Sequence, residues 1–268
     1  MDLATIVGLI ATLVVVTVVL ILDGGSPAEL FHHPAAIILT LGGALTCTVM
    51  GTPLKTIVTL PKLLIAAFKQ NTFEELEAIE SLSQMADKAR REGLLALEEE
   101  SKKISDPFLQ KGIMMVVDGV DPAQVRLVME TSIHHMRDRH KSQYGIFNQA
   151  GGYAPTFGII GTVMGLISVL KQLSDPNRLA ASIAAAFLAT LWGLLSANLI
   201  YLPLGAKLKS KSEEEAAYRT MLMEGVLAIQ AGENPRIVKE KLLAYLPPKH
   251  AAEKEGAPAA GTAQKAKA

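Results

Sequence analysis

Two hydroxyl-bearing side chains, Thr162 and Thr190, lie in the middle of long apolar stretches of this 268-residue chain. In the interior of a helix bundle, a threonine hydroxyl can coordinate a cation or hold a water molecule. More often it donates to a backbone carbonyl of its own helix, one turn earlier. The two threonines are therefore candidate ion-path residues, with back-bonding as the structural alternative.

Acids and bases are missing from four long stretches of the chain. No Asp, Glu, Lys or Arg occurs in Leu3 to Leu22, Leu30 to Leu54, Ser142 to Leu170 or Leu179 to Ala206. Asp23 and the pair His32-His33 lie only at one edge of these stretches. The chain by itself thus offers no group that relays protons through a membrane. Either a second chain supplies a carboxylate, or the protein is a passive scaffold.

Charged residues cluster elsewhere, and Arg90 with Glu98 is the pair of greatest interest. Eight residues apart on one predicted helix, they would be separated by about 80° of rotation and about 12 Å of rise, so both can lie on one exposed face. A solvated charged face is the alternative. His134, His135 and His140 match no metal-ligand spacing, so we expect no metal site there. We also expect no cofactor, no catalytic residues and no enzyme activity.

Small residues recur at helical spacing in the last two apolar stretches. Alanine or glycine occupies every fourth position of one stretch, at Ala181, Ala185, Ala189, Gly193 and Ala197, and the other carries Gly161 and Gly165 beside Gly158. Such stripes favour close helix packing in membranes. We expect helices 3 and 4 to pack against protein and helix 1 to face lipid, with packing inside one bundle as the alternative. Pro155 and Pro203 fall near predicted helix ends, where proline is tolerated.

The elements that position these residues are four predicted membrane helices. Half of the residues are hydrophobic (50%), only 19% are charged, and the mean hydropathy is +0.30. A spanning helix needs about 20 apolar residues, which predicts spans at 3–22, 35–52, 153–171 and 180–203. The first span is too long for a secretory signal and has no basic residue before it. With 26 basic and 26 acidic side chains, the overall charge gives no indication of a nucleic-acid partner.

The orientation follows from Lys and Arg, which collect on cytoplasmic flanks. Basic residues follow helix 2, precede helix 3 and follow helix 4: Lys55, Lys62, Lys69, Arg137, Arg139, Lys141, Lys207, Lys209 and Lys211. The opposite side has Lys171 and Arg178. Both termini and residues 55–141 are therefore predicted to be cytoplasmic, with short outside loops at 23–34 and 172–179.

The fold class expected is all-α, a four-transmembrane-helix protein with a helical cytoplasmic domain between helices 2 and 3. The domains are 1–54 (helices 1 and 2), 55–141 (cytoplasmic), 142–206 (helices 3 and 4), 207–249 (cytoplasmic helices) and 250–268 (a disordered tail). A capping box of Thr72 and Glu75 opens an amphipathic helix expected to reach about Lys103. Asp106-Pro107 and Asp121-Pro122 predict two further helix starts. The last of these helices should run into helix 3 until Gly151-Gly152 loosens it.

The apolar half of the chain resembles a known family. The stretch Gly151-Gly-Tyr-Ala-Pro-Thr-Phe-Gly-Ile-Ile-Gly-Thr-Val-Met-Gly-Leu166 is similar to the MotA/PomA flagellar stator family, as are Leu173-Ser-Asp-Pro176, Phe187-Leu-Ala-Thr-Leu191 and Ala197-Asn-Leu-Ile-Tyr-Leu-Pro203. The resemblance extends over about residues 1–246, including the start Asp2-Leu-Ala-Thr-Ile-Val-Gly8.

The resemblance implies a multi-pass protein of the bacterial inner membrane that forms a homopentamer around a MotB/PomB-type partner. Each partner chain has one span, whose aspartate binds the ion. The resemblance further implies that Arg90 and Glu98 contact the rotor protein FliG. Pro155 and Pro203 would match prolines that couple conformational change, and Thr162 and Thr190 would face the ion path.

The coupling ion stays open between H⁺ and Na⁺. Threonine at 162 resembles sodium-driven members, whereas those members tend to have a second threonine where Ala189 stands. Protons are favoured as the commoner case. Two other classes remain: an ExbB/TolQ-type energiser, whose pattern has one span before the cytoplasmic segment, and a non-transporting membrane scaffold.

Overall fold

Throughout the part of the chain that the computed structural model describes, residues 3–69, 73–171 and 176–246, the regular elements are helices and no strand occurs. The predicted all-α class is confirmed. The capping role of Thr72, residues 172–175 of the outside loop and the tail from 250 onward lie outside the described residues.

The chain divides into two compact units. The first comprises Met1–Asn71 and Asp138–Ser212, and the second comprises Thr72–Arg137 and Glu213–Ala268. By packing, residues 55–69 therefore belong with the apolar helices, and the helices after 213 belong with residues 73–137.

The first unit begins with α1 (Leu3–Leu22), which has the bounds expected of the first span. A short 3-10 helix (Pro27–Phe31) leads into α2 (Pro34–Ile37), a π-helical stretch (Ile38–Gly42) and α3 (Gly43–Met50). Two shorter helices follow, α4 (Leu54–Ile57) and α5 (Leu60–Phe68). Its small core includes Ala44, Leu63, Phe147, Ala154 and Tyr201.

The second unit contains α6 (Glu75–Glu92), a 3-10 turn (Leu94–Ala96), α7 (Leu97–Ser101), α8 (Pro107–Val117) and α12 (Pro235–Leu243). Two long helices contribute to both units: α9 (Pro122–Leu170) and α11 (Leu202–Gln230), the latter preceded by α10 (Pro176–Leu195) and a π-helical stretch (Ser196–Tyr201). The core of the second unit includes Ile79, Leu82, Met85, Ile113 and Leu222. The first three lie on the apolar face that the sequence predicts for α6.

Aspartate and asparagine caps start three helices of the second unit. Asp106 accepts from the backbone N–H of Phe108 at 2.7 Å, and Asp121 accepts from that of Ala123 at 2.9 Å. Asn234 does the same for α12, accepting from Arg236 N–H at 3.0 Å. Each cap is followed by a proline, whose fixed φ suits the first helical position. Both helix starts predicted at an Asp-Pro pair are confirmed.

The expected helix from residue 73 to about Lys103 is wrong, because it ends at Glu92. Gly93 has a φ of 87°, a left-handed conformation that an α-helix cannot continue through. The chain turns there before α7 begins. Arg90 and Glu98 consequently lie on two different helices, and the single-helix geometry expected for them does not apply.

Helix α9 continues through Gly151-Gly152, where the sequence predicted a loosened helix. A Cβ atom added to Gly151 would lie 2.7 Å from the Cδ2 atom of Leu202. The glycine therefore permits close packing against α11 instead of ending the helix. Pro155, expected at a helix end, is an interior residue of α9 for the same reason: no separate helix starts there.

Two helical runs, Pro122–Leu170 and Leu179–Gln230, are long and apolar enough to cross a membrane. Among the described residues, three shorter apolar helical segments also occur, Val7–Leu22, Pro34–Met50 and Pro107–Val117. From Val7 onward most large side chains of α1 are exposed, and its contact with lipid stays a prediction.

Candidate functional site

The backbones of α9 and α10 touch at two glycines. A Cβ atom on Gly158 would lie 3.0 Å from the carbonyl oxygen of Ala189, and one on Gly193 would lie 2.7 Å from that of Ala154. Any larger residue would force these helices apart, because the atoms it meets belong to backbone. The site therefore begins with a contact that only glycine permits.

The other small residues at helical spacing also lie in the contact between α9 and α10. Cβ atoms on Gly161 and Gly165 would lie 2.6 Å from the Cβ atoms of Ala189 and Ala186, respectively. Ala189 is only 3% exposed, whereas Ala185, one turn earlier, is half-buried. Within this chain α9 and α10 fill the stripe at Gly161, Gly165, Ala189 and Gly193, which is the alternative of packing inside one bundle.

Thr162 and Thr190 meet at the centre of this contact. Their hydroxyl oxygens touch, and the Thr162 oxygen also lies 3.1 Å from the carbonyl oxygen of Gly158 and 3.0 Å from that of Ala186. Thr190 reaches the Gly158 carbonyl oxygen at 3.5 Å. The Thr162 hydroxyl is thus within hydrogen-bonding distance of a carbonyl one turn earlier in its own helix and of a carbonyl in α10. Two hydroxyl oxygens and two carbonyl oxygens, contributed by α9 and α10, thus form one partly buried cluster.

This oxygen cluster is electrically neutral. Hydroxyl and carbonyl oxygens are the donors that hard cations prefer, and they also hold water. None of the four groups can take up and release a proton near neutral pH. The cluster can therefore coordinate a cation or a water molecule, but it cannot itself take up a proton.

Both prolines interrupt the backbone hydrogen bonding of this helix pair. Pro155 lies inside α9, next to Ala154 at the glycine contact. Pro203 is the second residue of α11, with Leu202 between it and the π-helical stretch, so it also lies within a continuous helical run instead of at the predicted helix end. A proline has no N–H to donate one turn back, and π-helical turns occur often at functional sites. Bending at either proline therefore breaks one backbone hydrogen bond fewer than bending at another helical residue.

The outward faces of α9 and α10 remain uncovered. Val163, Met164 and Ile167 are 52%, 58% and 50% exposed, and Phe187 of α10 is 66% exposed. An apolar face of this size needs lipid or a protein partner to cover it.

Two anchoring residues were missed from sequence. Trp192 Nε1 donates to the carbonyl oxygen of Leu30 at 2.7 Å, and its ring meets that of Phe31 edge to face at 5.6 Å. The signal was available, because Trp192 is the only tryptophan of the chain and tryptophan favours membrane interfaces. Lys211 is only 8% exposed and donates to the carbonyl oxygens of Ala66, at 2.6 Å, and Lys69. No sequence signal separates it from the other flanking lysines.

In the second unit, the ion pair between Lys88 and Glu100 links the helices on either side of Gly93. Lys88 Nζ lies 2.8 Å from Glu100 Oε1. The hydrogen bond from Lys88 lowers the pKa of the Glu100 carboxyl, and the same bond raises the pKa of Lys88. The corner that carries Arg90 and Glu98 is therefore held by a charged pair.

Arg90 and Glu98 are both exposed, but their surroundings differ. Arg90 lines a shallow cleft of about 450 Å³ with Asp87 and Arg236. The Glu98 carboxylate lies 3.3 Å from Lys102 Nζ, in a pair exposed by about half. These charges are accessible to a partner.

The histidine cluster contributes no metal site within the residues searched. His140 Nδ1 lies 3.1 Å from Ser212 Oγ, and the rings of His134 and His135 are 6.1 Å apart. None of these contacts joins the histidines to the threonine cluster or to Arg90 and Glu98.

Comparison with known proteins identifies the chain's relatives. Residues 6–93 match the family model described as "Motility protein A N-terminal", and residues 100–221 match that of the "MotA/TolQ/ExbB proton channel family". Motility protein A of Bacillus subtilis is 40% identical over 252 residues, which is 93% of this chain and 92% of the relative. This chain belongs to the motility protein A family.

Relatives in the family include the chemotaxis protein PomA of Vibrio alginolyticus, which is 36% identical over 92% of this chain and 96% of its own length. The solved flagellar MotAB stator complex from Bacillus subtilis matches with a TM-score of 0.86 and 38% identity, over 94% of this chain and 99% of the other. The C. jejuni MotAB structure matches with a TM-score of 0.88 and 33% identity, over 92% and 97% of the two chains.

Proposed function

We infer that this chain is a flagellar stator subunit that couples ion flow across the inner membrane to torque on the flagellar rotor. One observation carries this inference. Nearly the whole chain, 94% of it, has the fold of the subunit in a solved flagellar stator complex. The neutral oxygen cluster at Thr162 and Thr190 fits the task, because it lines a path without holding a charge.

We propose that a MotB/PomB-type partner supplies the missing acid. No Asp, Glu, Lys or Arg occurs between residues 142 and 170 or between 179 and 206. A single-span partner with a membrane aspartate would provide the group that binds and releases the ion. Its helix would cover the exposed face of α9 and α10, since the small-residue stripe is already occupied within the chain.

Thr162 and Thr190 are proposed to line the path beside that aspartate. A sodium ion prefers several oxygen ligands, whereas a proton needs only a hydrogen-bonded water next to the carboxylate. Thr162 favours sodium by its resemblance to sodium-driven relatives, and Ala189 favours protons. Both ions are kept as candidates. Pro155 and Pro203 would let α9 and α11 bend as the aspartate changes charge.

We further propose that Arg90 and Glu98 contact FliG. Both charges are exposed in the second unit, and electrostatic complementarity between exposed charges gives specificity and a fast encounter. Five copies of this chain would surround two copies of the partner. The four-span arrangement, with both termini and residues 55–141 in the cytoplasm, is proposed from the Lys and Arg distribution.

Deleting the gene and restoring it, with and without the partner gene, tests this function. A stator subunit restores swimming only when both chains are present, and membrane vesicles with both chains show ion flux that the single chain lacks. An ExbB/TolQ-type energiser would leave swimming unaffected by the deletion. A passive scaffold would leave ion flux unaffected. Substantial flux from this chain alone would contradict the proposal.

A further inference from the structure

A groove of about 600 Å³ opens within the first unit beside the helical run that joins α10 to α11. One wall is the stretch of α1 around Leu9. The other wall runs from Asn198 past Pro203 to Lys207 and Ser210. The groove is therefore bordered by the π-helical stretch and by the proline that follows it.

The walls are apolar over most of their length. The Thr12 hydroxyl donates to the carbonyl oxygen of Gly8 at 2.8 Å, and Asn198 Nδ2 donates to that of Leu194 at 2.9 Å. The Thr12 hydroxyl and one N–H of Asn198 are therefore used inside their own helices. Leu199 and Leu204 add further apolar surface. The occupant must accordingly be hydrocarbon along this part of the groove.

One end of the groove carries a positive charge. Lys207 is the first charged residue after the uncharged stretch that ends at Ala206. At 1.5 Å per residue, Asn198 and Lys207 are about 14 Å apart along the helix. This is close to half of the roughly 30 Å hydrocarbon core of a bilayer. The apolar part of the groove thus has the length of one leaflet, and its cation lies where lipid headgroups begin.

We propose that this groove binds an anionic phospholipid, with the acyl chains along Leu9 and Leu199 and the phosphate at Lys207. The positive charge of Lys207 complements the phosphate of an anionic phospholipid, whose headgroup has no positive group of its own to neutralise that phosphate. The bound lipid lies against Pro203, where the helix lacks a backbone hydrogen bond. The inference uses the membrane location but not the identity of the transported ion.

The experiment uses the whole chain with its partner, reconstituted in vesicles of equal phosphatidylglycerol and phosphatidylcholine with matched acyl chains. The complex is extracted in mild detergent, and the lipids that stay bound are counted by native mass spectrometry. We expect the parent to retain phosphatidylglycerol preferentially. Lys207→Gln should lower the ratio of the two retained lipids about fivefold, which corresponds to the roughly 1 kcal/mol that one lysine contributes near an anionic surface.

Two further variants complete the test. Lys209→Gln removes an equal charge from the same helix outside the groove and should leave the ratio unchanged. Ala206→Trp fills the groove from an exposed position and should reduce the retention of both lipids. An unchanged ratio in Lys207→Gln would overturn the proposal. So would an Ala206→Trp variant that keeps its lipids but no longer assembles, because the occupant would then be a second copy of this chain. Swimming and ion flux do not enter these counts, so a failed stator assignment would leave them interpretable.

Discussion

The hydroxyl oxygen of Thr162 in α9 lies 3.0 Å from the carbonyl oxygen of Ala186 in α10, across a contact that glycines bring to backbone distance. The same oxygen touches that of Thr190. One side chain thus serves two purposes, holding two helices together and completing an oxygen cluster. A substitution there would change both helix packing and the proposed ion path, so a matched variant is needed to separate the two effects.

Thr162→Ala should change the dependence of swimming on external sodium and pH, because it removes the central oxygen of the cluster. It should also lower the free energy of unfolding by about 0.5–1.5 kcal/mol, the usual contribution of one hydrogen bond. Swimming speed against sodium and pH, with thermal unfolding in detergent, measures both effects. Thr162→Ser keeps the hydroxyl and is expected to retain the parent's ion dependence. Identical curves for all three proteins would leave Thr162 with a structural role alone.

Gly193→Leu and Ala189→Leu should destabilise the isolated chain, because α9 already occupies the space a leucine would need. A Cβ atom on Gly193 alone would come within 2.7 Å of a backbone oxygen. Overpacking of this kind costs about 1–3 kcal/mol, which thermal unfolding without the partner would detect. Ala184→Leu adds the same side chain at an exposed position of α10 and should have little effect on the isolated chain. If Gly193→Leu unfolds like the parent and only partner binding is lost, the intrachain contact has been assigned wrongly.

Charge reversal at Arg90 or Glu98 should impair swimming while the protein still accumulates in the membrane. Exposed charges act on a partner through interactions that salt screens and that contribute little to folding. Swimming-plate diameter and immunoblots of membranes test Arg90→Glu and Glu98→Lys. Glu130→Lys, which reverses another exposed charge of the second unit, serves as the control. If both single variants swim normally, and still do so when neighbouring charges are also reversed, Arg90 and Glu98 are not part of the rotor contact.

The corner between α6 and α7 should loosen as acid removes the charge of Glu100. The pKa of this carboxyl is lowered in the folded protein by the hydrogen bond from Lys88. A lowered folded pKa contributes stability above the ordinary value of 4.5 and loses it as the pH falls through the folded value. Between pH 6 and pH 3, the temperature of thermal unfolding should therefore fall more steeply with decreasing pH in the parent than in Lys88→Gln. Parallel profiles would show that this pair does not couple folding to pH.

The proposed topology predicts which engineered cysteines an impermeant thiol reagent reaches from outside. In a Cys47→Ser background, cysteines replacing Arg90 and Glu215 should stay unlabelled in intact cells and react after lysis. Ala28→Cys, in the loop predicted to lie outside, should label in intact cells. Labelling of position 90 or 215 from outside would reverse the orientation.

The sequence by itself determined the local features of this protein. The bounds of α1 and the starts of α8 and α9 follow from signals that act over a few residues: an uninterrupted apolar stretch, or an aspartate followed by proline. The absence of Asp, Glu, Lys and Arg from the apolar stretches is likewise a property of the sequence. The sequence does not predict that a helix ends at Gly93, because glycine also occurs inside helices. The φ of 87° at Gly93 in the structure identifies the end.

Only the tertiary structure decided which surfaces meet. The spacing of Gly161, Gly165, Ala189 and Gly193 predicts close packing, but it does not say whether the neighbour is the same chain or another. Helices in a membrane associate through shape and short contacts between small residues, which carry little information about the partner. Thr162 and Ala186 are 24 residues apart in sequence, and their hydrogen bond exists only because α9 and α10 lie side by side.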